Sequence, residues 1–302
     1  METSEKISLT DFLFLMFDNL FKYNVEFFSM PELPEVETTR LALCEILLKE
    51  KINLVNVIND NLRYKVTRDF SLKVKKKLVL KIERKGKFLI FFLSQKLAFI
   101  AHLGMTGVFR VEKKYKPQKH DHIMFRIEKY FVIYNDVRKF GFFKLDSQEG
   151  IYQSPHLKHL GIEPLSTELK TSFFVKLINK KSQDIKSFLM NQRFIAGLGN
   201  IYCSEVLFSA GISPLRICNE ISHIEAKKIV LSIKKVLRRA IKNGGTSLQN
   251  FQDPNGKIGY FSNYLKVYNR TGKICIRCKK NARILKLIIQ NRSTFYCKKC
   301  QK

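Results

Sequence analysis

Four of the seven cysteines in this chain fall into a pattern that can do chemistry. Cys275 and Cys278 form one Cys-x-x-Cys pair and Cys297 and Cys300 a second, with 18 residues between the pairs. Two such knuckles supply four thiolates, a closed tetrahedral set that suits one structural Zn2+. Two disulfides or free thiols are the other reading of the same spacing. The stretch "ARILKLIIQNRSTFY" (282–296) between the pairs reads as strand, turn, strand. Arg292 then lies at the tip of a hairpin, where it either touches phosphate or is a solvated turn residue.

Two further stretches carry residue types with chemical potential. In "QRFIAGLGNIYCSE" (192–205), Gly197 and Gly199 stand just before a helical pattern. Glycines there let backbone approach a phosphate, and a helix N-terminus favours an anion. Asn200 either bonds such a phosphate or caps the helix. In "SMPELPEVETT" (29–39) a Met directly precedes a Pro at the start of another helical pattern, yet 29 residues come before that Met.

The elements that must position these groups follow from composition and periodicity. At 302 residues and 45% hydrophobic content, two domains with real cores are expected. Lys and Arg number 55 against 26 Asp and Glu, a formal charge of +29. That excess points to a polyanionic partner, nucleic acid ahead of membrane, although an AT-rich genome also favours Lys codons. No apolar run reaches the ~18 residues needed to cross a bilayer. "DFLFLMFDNLF" (11–21) is interrupted by Asp11 and Asp18 and makes a poor signal or transit peptide. Cys44, Cys203 and Cys218 sit in apolar contexts and read as reduced core thiols, which fits a cytosol.

Residues 34–49 read as a helix with Pro34 in its first turn. From 52 to 145 short β-rich runs follow one another: 78–93 around Gly86, 97–111, 122–127, 130–136 and 141–145. They predict an antiparallel sandwich or barrel. "HLKHLGIEPLS" (156–166) looks like a boundary, and helical spacing takes over beyond it, ending with 225–245 and its Gly244-Gly245 stop. Residues 252–264 read as a loop, and the tail from 266 is short, basic and Cys-bearing.

Taken together, "PELPEVET" (31–38), "RKGKFL" (84–89), "HLGMTG" (102–107), "KHDH" (119–122), "NDVRKFG" (135–141), "AGLGNIYCSE" (196–205), "GGTSL" (244–248) and the terminal "NRSTFYCKKCQK" resemble formamidopyrimidine-DNA glycosylase, in that order along the chain. The resemblance implies an α+β fold. An N-terminal helix and antiparallel β-sandwich span 31–158, a helical helix-two-turn-helix domain 159–265, and a zinc ribbon 266–302, with residues 1–30 an unmatched extension. It also implies an activity: a monomeric base-excision repair enzyme of the bacterial cytoplasm. Such an enzyme removes oxidised purines (8-oxoguanine and formamidopyrimidines) from duplex DNA and nicks the strand, with one structural Zn2+ as its cofactor.

Site residues follow from the same resemblance. Pro31 matches the nucleophile, Glu32 the catalytic acid and Lys87 the catalytic lysine, while Arg292 matches a phosphate contact that also assists the second elimination. Met105, Arg138 and Phe140 match the residues that fill the gap left by a flipped base. His120, Asn200 and Tyr268 match DNA-backbone contacts, and Glu35 is a secondary candidate. Where the family often has a phosphate-binding Lys this chain has Ser182, with Lys181 as its expected substitute. Val137 and Lys139 are smaller departures. The lesion-covering loop is expected within 252–263. His120 and His122, two apart, also raise a metal pair, but no third ligand stands near them.

A terminal proline suits this chemistry for a physical reason. Its free secondary amine attacks the sugar C1′, expels the base and leaves an iminium whose positive charge is the electron sink for strand cleavage. An α-amine has a pKa near ~8, against ~10.4 for a Lys side chain, so far more of it is unprotonated at neutral pH. Joined to Met30, the Pro31 nitrogen is a tertiary amide with no usable lone pair. The expectation is therefore that the working chain starts at Met30, which is then removed, and that residues 1–29 are a mis-assigned start; the other reading is a genuine extension that is cleaved or that silences the enzyme. Two alternatives stand beside this reading: endonuclease VIII-like action on oxidised pyrimidines, and a non-catalytic lesion-binding zinc protein whose Pro31 stays blocked.

Overall fold

A computed structural model describes residues 30–246 and 261–302. Residues 1–29, and the expected lesion-covering loop up to residue 260, lie outside the described residues.

The first helix, α1 (Leu33–Leu47), starts at Glu32. Pro34 suits its first turn, and the Glu35 carboxylate returns to the Glu32 N–H at 3.0 Å. α1 is buried in two directions. Leu33 belongs to the core of the helical part, whereas Val36, Leu43 and Leu47 belong to the core of the sandwich.

Eight antiparallel strands form two four-stranded sheets. They are β1 (Leu54–Val57), β2 (Val79–Lys85), β3 (Phe88–Leu93), β4 (Leu97–His102), β5 (Val108–Glu112), β6 (Asp121–Arg126), β7 (Phe131–Asn135) and β8 (Phe142–Ser147). A short helix, α2 (Phe70–Val74), interrupts them. The sheet orders are β1-β6-β7-β5 and β2-β3-β4-β8. Phenylalanines fill the space between the sheets: Phe91 stacks on Phe99 at 4.4 Å, and Phe70 meets Phe99 edge-on at 5.5 Å. The second sheet is covered outside as well, where Ile90, Ala98, Ile100 and Phe142 pack with Ile151 and Leu157. Burial on both faces explains why "FLIFFL" reads as an unbroken apolar run rather than an alternating one. The expected single run 97–111 is two strands in different sheets, separated at 103–107.

Helices α3 (Thr171–Ile178), α4 (Ile185–Met190), α5 (Asn200–Ala210) and α6 (His223–Lys242) enclose a separate apolar core. α6 begins with a Ser222–Glu225 capping box and ends before Gly244 and Gly245, both at positive φ. Two hairpins complete the chain: β9 (Ile274–Cys275) with β10 (Lys279–Arg283), and β11 (Leu285–Ile289) with β12 (Arg292–Tyr296). α5 is their anchor. The buried Glu205 carboxylate accepts the N–H groups of Lys266, Val267 and Tyr268 at 2.9–3.0 Å. Arg277 donates to the Phe208 carbonyl at 2.8 Å and lies over its ring. Among the described residues no helix is long and apolar enough to cross a membrane.

Replacing Glu205 by Ala would leave three peptide N–H groups without their acceptor. Each such loss costs about 1–3 kcal/mol when the donor stays buried. The expected outcome is a loss of at least about 3 kcal/mol in urea unfolding, with amide exchange at 266–268 accelerated before the rest of the chain.

Candidate functional site

Glu32 is 2% exposed and crosses from α1 to the start of α5. Its carboxylate accepts the N–H groups of Gly199 at 2.7 Å, Ile201 at 2.9 Å and Tyr202 at 3.4 Å. These are the unpaired donors that every helix N-terminus presents. The cap of α5 is therefore a carboxylate from another helix. Asn200, expected as a possible cap, is the first helical residue and donates instead to the Ser293 carbonyl at 2.9 Å. Gly199 is what allows the approach: a Cβ there would stand 2.5 Å from Glu32 Oε1 and 2.7 Å from Lys87 Nζ. Beside Glu32, Leu33 donates its N–H to the Gly197 carbonyl at 3.0 Å.

Burial pushes the Glu32 carboxyl up to about 7, against the pull of the Lys87 ammonium and the helix N–H groups, and Glu35 adds to the rise. Glu35 is fully engaged. It takes the Tyr202 hydroxyl at 2.6 Å and both the N–H and the hydroxyl of Thr246 at 2.7 and 2.9 Å. Lys87 comes from the two-residue turn between β2 and β3, where Gly86 adopts φ +58°.

A cavity of about 710 Å3 opens beside these groups. Its lining gathers Glu32, Lys87 and Met105 with Asn200, Tyr268 and Arg292, from the sandwich, the helical part and the cysteine ribbon. Met30 lines it too, next to the buried Pro31. Arg292 opens β12, directly after the Gln290-Asn291 turn, as the strand–turn–strand reading expects.

Other expected residues lie outside this cavity. Arg138 and Phe140 are on the β7–β8 loop, the guanidinium 4.7 Å from the ring centre. Buried Asp136 ties that loop to the Met105 loop through the Thr106 hydroxyl at 2.5 Å and the Gly141 N–H at 2.8 Å. His120 sits in the turn before β6 at φ +72°. His122 is buried and its Nε2 bonds the Asp136 carbonyl at 2.8 Å; among the described residues the two histidines belong to no group of three or more possible metal ligands. The Lys181 ammonium lies over the Phe194 ring at 5.1 Å, and Ser182 is exposed.

Three residues on or beside the cavity were not singled out by sequence reasoning. His102 at the end of β4 is held neutral, its pKa near 3, by burial and by the neighbouring Lys87 and Arg63 cations. Its Nδ1 accepts the Gly104 N–H at 3.0 Å, and its ring packs on Phe88 and Phe142. Lys286 lines the far wall from β11. Lys186 of α4 is fully buried and donates to Thr294 at 2.5 Å. Burial lowers its pKa to about 8, with Cys203 and Asp184 opposing the drop. A lysine inside the apolar pattern of a helix was the available signal, because an ammonium is rarely buried without a task.

The four C-terminal cysteines converge as their spacing requires. All four sulfurs lie within 4.8 Å of one another, with Cys275 and Cys300 3.8 Å apart and Cys278 and Cys297 3.9 Å apart. A tetrahedral metal with bonds of ~2.3 Å to sulfur sets neighbouring sulfurs about 3.8 Å apart, so the cluster fits a metal ion.

The sequence and fold match known proteins over most of their length. The family model described as Formamidopyrimidine-DNA glycosylase N-terminal domain matches residues 30–143, and that described as Formamidopyrimidine-DNA glycosylase H2TH domain matches residues 160–252. A formamidopyrimidine-DNA glycosylase of Wolbachia pipientis is 40% identical over 275 residues, covering 90% of this chain and 100% of the relative. One of Rickettsia africae is 39% identical over 279 residues, covering 90% and 99%. Among solved structures, a point mutant of the Lactococcus lactis FPG in complex with a Fapy-dG containing DNA superposes with TM-score 0.83 at 33% identity, covering 90% of this chain and 100% of that one. The wild-type L. lactis protein with an oxidized pyrimidine containing DNA gives 0.82 at 34% identity, over 90% and 100%.

Lys186 gives a prediction with a definite sign. Its folded pKa lies below its unfolded one, so between about 8 and 10.5 the unfolded chain holds the extra proton and stability rises with pH. The ammonium weighs on the fold most below pH 8. Lys186→Met is expected to raise the unfolding free energy at neutral pH by about 2–3 kcal/mol, and the gain should shrink toward pH ~10. Urea titrations at several pH values measure this, and an unchanged gain at high pH would contradict it.

Proposed function

The chain belongs to the formamidopyrimidine-DNA glycosylase family, a DNA glycosylase and AP lyase of base-excision repair, and from this we propose how its own residues work. The substrate is duplex DNA carrying oxidised purines. Pro31 is the nucleophile, and its nitrogen acts only after the Met30–Pro31 bond is cut or never made. The amine adds to C1′ of a flipped nucleotide, the base leaves, and the iminium drains electrons through β- and then δ-elimination.

One observation carries this reading. The residue after Pro31 is a buried carboxyl that stays protonated to about pH 7, beside a lysine and a cavity large enough for a base. In that role Glu32 protonates the opening sugar as general acid. Lys87 lowers the proton affinity of Glu32 and offers a cation to the phosphate next to the lesion. Arg292, Asn200 and Tyr268 approach the DNA backbone from the opposite wall, and Arg292 assists the second elimination. Met105, Arg138 and Phe140, on two loops pinned by Asp136, fill the gap in the duplex. His120 and Lys181 stand further out, where they contact phosphates beyond the lesion.

Zn2+ is the metal best suited to Cys275, Cys278, Cys297 and Cys300. It is structural, since four thiolates leave no open position. It would fix the β11–β12 hairpin and so the reach of Arg292. The protein then acts as a monomer on DNA in the bacterial cytoplasm. The L. lactis complex with oxidized pyrimidine DNA favours a second reading, a lesion range that extends beyond purines.

The deciding experiment compares the 1–302 chain with one beginning at Pro31, made by initiation at Met30 and removal of that Met. That a solved structure is matched over its whole length by nine-tenths of this chain supports the folding of the shorter form. With an 8-oxoguanine duplex and borohydride, the Pro31 form is expected to give a covalent adduct and the longer chain none. An adduct on a chain that retains Met1 would remove Pro31 as nucleophile. Base release by the Pro31 form should fall as pH rises through about 7, following loss of the Glu32 proton, and Glu32→Gln should abolish it. Metal analysis should find one zinc per chain, and its removal by a chelator should weaken DNA binding at least about tenfold by releasing the hairpin.

A further inference from the structure

The turn that carries Lys87 is gripped from outside the cavity. Glu163, in the connection between sandwich and helices, accepts the Gly86 N–H on Oε1 at 2.5 Å and pairs with Arg84 through Oε2 at 2.8 Å. Arg84 donates in turn to the Gly86 carbonyl at 3.1 Å and to Glu37 of α1 at 2.8 Å. Both peptide groups flanking Gly86 are therefore fixed by one ion-paired ring. The second of them is the peptide that leads into Lys87. The ring is shielded: the side chains of Arg84, Glu37 and Glu163 are 9, 15 and 26% exposed. Such pairs hold geometry better than exposed ones, which contribute little.

Glu163 is itself held to the segment whose end Glu32 caps. Gly161 donates to the Gln192 carbonyl, Ile162 to that of Phe194, and Ala196 back to Ile162, at 2.8–3.1 Å. That segment runs directly on to Gly197 and Gly199. A Cβ on Gly86 would lie 3.3 Å from the Ala196 Cβ, so the turn already rests on the same segment. We infer that Glu163 is a positioning residue for the repair reaction: it registers the Gly86–Lys87 turn against the Gly197–Gly199 segment, so that the Lys87 ammonium meets the Glu32 carboxyl. Glu163 does not line the cavity and touches no reacting atom. A carboxylate placed only to join two domains would not need to hold the N–H of the residue before Lys87.

This inference rests on the effect of Lys87 on Glu32 proposed above, and the test separates the two. The Glu32 carboxyl titration is followed by 13C NMR in the full chain, where no free Pro31 is needed. The groups facing that carboxyl are Lys87 from the turn, Glu35 from its own helix, and Tyr202, Cys203 and Lys186 from the helical part. Lys87→Met is expected to move the midpoint up by about one unit, through loss of the facing cation. If it does not, the Lys87–Glu32 reading fails. With that shift in hand, Glu163→Ala should reproduce about half of it or more. In the Pro31 form it should also slow single-turnover base release by about tenfold while DNA affinity stays unchanged, since a small misplacement of a catalytic group is enough for such a loss. A Glu163→Ala protein whose Glu32 titrates as in the native chain overturns the inference, whether its rate is native or reduced. If the Ala variant does not fold, Glu163→Gln is read by the same midpoint; it keeps an acceptor for Gly86 but loses the charge that holds Arg84.

Discussion

A single carboxylate lodged on the end of a helix joins the two halves of this protein beside its candidate site. Glu32 belongs to the helix that packs on the sandwich, and its oxygens take the first N–H groups of α5 in the helical part. Leu33 follows it into the helical core while Val36, one turn on, enters the other. The start of α1 therefore cannot shift without opening a buried helix terminus and an apolar core together. That fixes Pro31, which precedes Glu32, more firmly than a chain terminus is usually held.

The same placement sets the electrostatics. A carboxyl that is buried against helix donors is pulled both ways: desolvation favours the proton, and the donors and Lys87 favour its loss. The balance near neutrality is what a general acid requires. Around it the wider excess of positive charge is suppressed locally. His102 is kept neutral and Lys186 is eased toward neutrality by burial, so the cavity is less cationic than the composition suggests. The cations that line it are Arg63, Lys87, Lys286 and Arg292, while Arg138 lies on a loop outside it.

Much of the fold could be read from the sequence because its signals are local. The glycine stop of α6, the Gly86 turn and the two cysteine pairs each depend on residues within a few positions of one another, and each stands where expected. The run 97–111 was misread as continuous, since nothing local tells a strand which of two sheets it will join. Lys186 and His102 escaped notice for a related reason. Their significance lies in burial beside groups far away in the chain, and a lysine or histidine on a helix or strand is ordinary until its surroundings are known. The cap of α5 was sought in the nearest polar side chain, Asn200, whereas its acceptor is Glu32, near the other end of the described chain.

The sequence by itself determined the chemistry on offer: a proline that is reactive only when terminal, an acid next to it, four thiolates spaced for one metal, and the ordered motifs that mark the family. These are covalent and short-range facts, fixed by which residues adjoin which. The tertiary structure alone decided how those groups behave. Proton affinity depends on desolvation and on charges brought near by folding, so Glu32 becomes an acid near neutrality only at the end of α5. Distance between remote segments depends on packing, so only the folded chain places the Lys87 turn, through Glu163 and Arg84, against the carboxyl it serves.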